Sequence, residues 1–130
     1  MKKIFLLILI TGLFACNKET EPDLIGKWKL IGISGGFKGG GYDANFDFLN
    51  IIDEKHWEWL DSLNNTVASG KYSLSSSKGK DCIKFNTTSE SSSFYFDTNL
   101  EYTFYTSDTI YMKPCFECND CYDYLFIKEN

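Results

Sequence analysis

The sequence contains no arginine, a single histidine and only two prolines among 130 residues, and each shortage narrows what the chain can do. Arginine is the side chain best suited to bidentate phosphate and carboxylate recognition. Without it, and with 18 acidic residues against 13 lysines, nucleic acid is not an expected partner, because phosphate binding rests on cation contacts. His56 is alone, and no Gly-x-Ser-x-Gly nucleophile elbow accompanies it. No cofactor motif is present either, so no enzyme is expected. The paired acids Asp53-Glu54 and Asp120/Asp123 read as turn chemistry rather than acid–base machinery. Also lacking is an apolar run of the roughly 20 residues that a membrane-crossing helix requires.

What the chain does have begins at its first residues. Lys2 and Lys3 precede the apolar run Ile4 to Ile10, and Leu13-Phe14-Ala15-Cys16 follows. That order of charged, apolar and small residues is the layout of an export signal. The Leu-x-Ala-Cys ending resembles the lipobox of bacterial lipoproteins, with Phe14 standing where a smaller residue is commoner. The resemblance implies cleavage after residue 15 and lipid on Cys16. Each buried CH₂ of such a lipid contributes about 0.8 kcal/mol, so two or three chains anchor a protein durably. Residues 17–23 are polar and proline-containing, with no apolar periodicity, and read as a tether. Fully extended, it holds the domain at most ~25 Å from the membrane. Its acidic residues also resemble the surface-export signal of some Gram-negative lipoproteins, so an outer-membrane location, periplasmic or surface-exposed, is expected.

Removing the signal leaves residues 16–130, with eleven lysines against eighteen acids, of which residues 24–130 beyond the tether are one domain's worth of chain. Aromatics make up 17% of the sequence, which, with many Tyr, Thr and Ser, favours strands over helices. From Gly26 onward the sequence breaks into short alternating stretches separated by turn residues. Gly26 to Leu30 places Trp28 and Leu30 on one face. Phe46 to Ile52 and His56 to Leu60 flank an Asp53-Glu54-Lys55 turn, and Asn64-Asn65 turns the chain into Thr66 to Leu74. A Ser75 to Lys80 loop leads into Asp81 to Asn86, with Ile83 and Phe85 on one face. Phe94/Phe96, Tyr102/Phe104, Ile110/Met112 and Tyr124/Phe126 repeat the alternation, Ser91 to Asp97 being the least regular of these segments. Eight or nine short antiparallel strands must close or split into layers to remove their edges, so an all-β, small antiparallel barrel is predicted. Ser34 to Gly41, rich in glycine, reads as a mobile loop after the first strand.

Leu24-Ile25-Gly26-Lys27-Trp28-Lys29-Leu30 resembles the Gly-x-Trp opening strand of lipocalins, especially the lipocalin-like domains of bacterial lipoproteins. Gly70-Lys71-Tyr72, Asp108-Thr109-Ile110 and Tyr124 to Lys128 agree with it in order. Full lipocalins set an Arg of the last strand against the opening Trp; here Lys128 is the available substitute, through a cation–π contact with Trp28. The resemblance implies non-covalent binding of a small apolar molecule in the barrel mouth. Against a large cavity stand the shorter chain and its large aromatics, since an eight-stranded barrel is just wide enough for side chains to fill. Trp57 and Trp59 share one face and read first as core residues, second as a stacking platform for a ligand or sugar. His56 and Glu58 take the opposite, outer face.

Cys82, Cys115, Cys118 and Cys121 remain once Cys16 is set aside, and an even four outside the cytoplasm suits two disulfides. A Cys115 to Cys121 bridge closing the connection between the last two strands is geometrically reasonable, leaving Cys118 for Cys82, although three pairings are open. A tetrahedral Cys₄ zinc site is the metal alternative, and a redox Cys115-Cys118 pair lacks the alternating strands and helices of thioredoxin-like proteins. Two functions follow as expectations. One is a membrane-anchored lipocalin-like carrier of a small hydrophobic ligand; the other is a protein-interaction module, an inhibitor or accessory subunit, using an acidic exterior against a basic partner. A hollow interior marks the first, a filled interior with binding at the loops the second.

Overall fold

In the computed structural model, which describes residues 23–91 and 96–130, the alternating segments form eight strands. They are β1 (Gly26–Gly35), β2 (Phe48–Ile51), β3 (His56–Leu60), β4 (Thr66–Ser77), β5 (Lys80–Glu90), β6 (Asn99–Thr106), β7 (Thr109–Pro114) and β8 (Tyr122–Lys128). Each pairs antiparallel with the next, and β8 pairs back onto β1, so the sheet is a closed up-and-down barrel with no free edge. The signal segment, Cys16 and most of the expected tether lie outside the described residues, as do residues 92–95 of the irregular Ser91 to Asp97 segment. Closure needs only eight strands.

Period-two alternation decides what goes inside. Trp28 on β1, Trp57 and Trp59 on β3, Ile83 and Phe85 on β5, Ile110 and Met112 on β7, and Tyr124 and Phe126 on β8 all turn inward and are buried. No polar or charged residue among the described ones is buried, while lysines, acids and hydroxyl residues occupy the outer face. This apolar-in, polar-out order is the reverse of a membrane-spanning barrel, whose lipid face is apolar and lumen polar.

Three segments differ from expectation. β1 does not stop at Leu30 but runs to Gly35, because Gly32, Ile33, Ser34 and Gly35 pair with Leu125, Tyr124, Asp123 and Tyr122 of β8. A bulge between Leu30 and Gly32 leaves Ile31 facing out. Ser75, Ser76 and Ser77 are not a loop; they pair with Cys82, Asp81 and Lys80, and the chain reverses at Lys78-Gly79, both at positive φ (53° and 76°). Such a two-residue turn matches strand twist and suits glycine. Finally, β2 begins at Phe48, and Phe46 is packed in the core instead of pairing in the strand.

The pairings define two poles. Gly26, Ile51, His56 and Lys128 lie at one, where Asp23 enters, together with the 78–79 and 107–108 turns. At the opposite, far pole lie the 36–47 loop, the 61–65 turn, the connection after Glu90 and the 115–121 loop.

Candidate functional site

Trp57 and Trp59 are fully buried and offer no open stacking face. Trp57 Nε1 donates to the Lys71 carbonyl at 3.0 Å, and its ring meets Phe85 edge-on. Trp59 lies against Phe46 and Phe96, with ring centroids 4.1 and 4.5 Å away. Phe46, from the loop before β2, and Phe96, from the connection before β6, thus stopper the barrel at its far pole. Tyr42 is packed edge-on against Tyr122 above them. The Tyr124 hydroxyl donates to Asp97 Oδ2 at 3.2 Å, and the Tyr122 N–H donates to the same oxygen. Burial, then the hydrogen bond with Tyr42, raises the Tyr124 pKa far above the ordinary tyrosine value, so this hydroxyl stays a donor.

The entry pole is partly covered by the chain itself, beside an open recess of about 490 Å³ lined by Leu24, Glu54, Tyr72, Leu74, Tyr102 and Phe104 among others. Trp28 Nε1 donates to the Leu24 carbonyl at 2.8 Å, which draws the segment before β1 across the barrel floor. Lys128 Nζ sits 5.1 Å from the Trp28 ring centroid, as the sequence suggests, and donates to the Asp23 carbonyl at 3.3 Å.

The cysteines pair otherwise than expected. Cys82 is bonded to Cys115 and Cys118 to Cys121, not Cys115 to Cys121 and Cys118 to Cys82. β5 and β7 both flank β6, so a bond from Cys82 to the residue after β7 brackets that strand, a proximity only the topology supplies. With all four sulfurs in disulfides, neither a Cys₄ zinc site nor a Cys115-Cys118 redox pair is formed. His56 is on the outer surface, its Nδ1 2.9 Å from Asp53 Oδ2. Asp53 accepts the Lys55 and His56 N–H groups and shapes the β2–β3 turn. Asp123 is not in a loop but on β8, where it accepts from the Tyr111 hydroxyl at 2.6 Å.

Two surface features escape the sequence reading. At the far pole three separate loops each expose one large apolar residue: Phe37 (90% exposed), Leu63 (78%) and Phe116 (58%). Asp43, Asp61, Glu90, Glu117 and Asp120 share that pole, against Lys38 and the Lys27 ammonium, which reaches the 61–65 turn and donates to Asn64 at 2.6 Å. The second feature is a depression of about 310 Å³ on the outer wall, lined by Gly32, Ser34, Tyr105, Tyr111, Asp123 and Leu125 among others. The signals were present: an apolar residue isolated within each turn, and Tyr111 out of phase with inward Ile110 and Met112. No protein-family model, no curated protein and no solved structure matches this chain.

Proposed function

We propose that the chain is a lipoprotein anchored through Cys16 whose lipocalin-like barrel serves as a protein-interaction module, engaging its partner at the far pole. The observation that supports this most is the filled interior. Through its middle and far end the barrel is occupied by the tryptophans, Phe85, Phe126 and the Phe46/Phe96 stopper, and the recess of about 490 Å³ left at the entry mouth carries Asp23 and Glu54 on its rim, a poor match to a wholly apolar cargo. Exposed aromatics are typical anchors of protein interfaces, and Phe37 and Phe116 stand at the pole opposite the point where the tether enters. The acids around them favour a basic partner and salt-sensitive association.

The test places a photo-crosslinking residue at position 37, 63 or 116, and at the entry-pole position 55, in the protein expressed in its native envelope. The expected result is one protein adduct from the far-pole positions, weakened by added salt and absent from position 55. A far pole that crosslinks nothing, together with uptake of a fluorescent apolar probe by the folded protein, would overturn the proposal in favour of a ligand carrier.

A further inference from the structure

On the outer wall, β6, β7, β8 and β1 bring two tyrosine rings, a carboxylate and a hydroxyl together around one open hollow. Tyr105 and Tyr111 lie parallel, 10° between planes and 5.6 Å between centroids, and Tyr105 is 62% exposed. Leu125 pairs with Tyr111 on one side and Gly32 on the other. At Gly32 a Cβ would meet no atom within 4 Å, so the missing side chain leaves a hollow in the wall. Asp123 and Ser34, paired across β8 and β1, line the same hollow. The Tyr111 hydroxyl already donates to the Asp123 carboxylate, which orients it, and a carboxylate has acceptor capacity for more than one donor. Burial, followed by that hydrogen bond, raises the Tyr111 pKa well above the ordinary range and keeps its proton in place.

We infer that this depression is a saccharide-binding site, in which the CH face of a pyranose stacks on Tyr105 while its hydroxyls donate to Asp123 and meet Ser34. The lining groups select this class. No lysine lines the hollow and an acid does, which disfavours an anionic ligand. A wholly apolar ligand would cover Asp123 and Ser34 without giving them partners, which costs free energy. A ring with an apolar face and a hydroxylated edge satisfies both halves. The available space matches the small end of ligand pockets. The site is independent of the far pole and of what docks there.

The experiment is saturation-transfer difference NMR on the full-length protein recovered from cells in a sugar-free detergent. Probes are cellotetraose, maltotetraose and tetra-N-acetylchitotetraose, with tetramethylammonium as a cationic control. Expected is saturation of ring CH protons in at least one oligosaccharide, weakened about tenfold in affinity by Asp123→Asn, roughly one lost charge-assisted hydrogen bond, and abolished by Tyr105→Ser. Gly32→Leu, which the open space accommodates, should abolish the signal while leaving the melting temperature and both disulfides unchanged. Absence of transfer to every oligosaccharide overturns the inference, as does transfer to tetramethylammonium alone or a signal that survives Gly32→Leu.

Discussion

Lys128 stands over the indole of Trp28 while the nitrogen of that indole holds the Leu24 carbonyl, so one tryptophan joins the last strand to the segment ahead of the first. Cation–π contacts of this exposure contribute about 0.5–1 kcal/mol. Lys128→Ala should therefore lower the unfolding free energy by about that amount and change Trp28 emission, read by urea titration. Unchanged stability and fluorescence would show that Lys128 plays no part in closing the barrel.

Phe96 fills the far mouth against Trp59, Phe85 and Tyr124. Phe96→Ala should cost about 3–5 kcal/mol, the range for emptying a phenylalanine site in a core. The apolar void left behind should bind benzene and recover part of the lost melting temperature. A loss below about 1 kcal/mol, the scale of an ordinary surface change, would mean that Phe96 is not the stopper.

The two disulfides constrain the unfolded chain unequally. Cys82 and Cys115 are separated by 33 positions, Cys118 and Cys121 by 3. Chain-entropy reasoning gives about 4 kcal/mol for the first and about 2 kcal/mol for the second. Cys82→Ser/Cys115→Ser should thus be the more destabilised double variant, and peptide mapping without reductant should recover Cys82 joined to Cys115. A Cys115-Cys121 peptide would refute the pairing.

Asp53 has its pKa lowered from 3.8, first by the hydrogen bond from the His56 ring and then by the Lys55 N–H. A depressed carboxylate stabilises the fold above its unfolded pKa, and that contribution is lost as pH falls through the folded value. Asp53→Ala should be less stable than the parent near neutral pH, with the gap narrowing in acid below pH 3.8. A gap that does not change with pH would assign the effect to turn geometry alone. Asp61, lowered first by Asn65, should behave in the same way.

Cys16→Ser should abolish incorporation of labelled palmitate and release the protein from the membrane fraction, since lipid is the expected anchor. Labelling that persists in the variant would place the lipid elsewhere.

The inward residues were legible because strand alternation is local: Trp28, Trp57, Trp59, Ile110 and Tyr124 follow from neighbours two positions away. The single histidine's outer placement follows by the same rule. Strand lengths were less legible, since glycines 32 and 35 and serines 75 to 77 have weak strand preferences that pairing with β8 and β5 overrides. Disulfide pairing and the tyrosine hollow depend on which distant strands become neighbours. Tyr105 and Tyr111 read as two unrelated aromatics until β6 and β7 set them side by side.

The β8 end at Lys128 lies beside Trp28, and the Glu129 N–H donates to the Lys27 carbonyl at 2.8 Å. A barrel whose first and last strands finish together is, in connectivity, a ring. A short linker from beyond Lys128 to Asp23 should let the chain be opened instead at the 61–65 turn, giving a circular permutant with every strand pairing intact. In that permutant the proposed lipid anchor, grafted to the new start, would hold the barrel upside down, with the acidic, aromatic-tipped pole pressed toward the lipid.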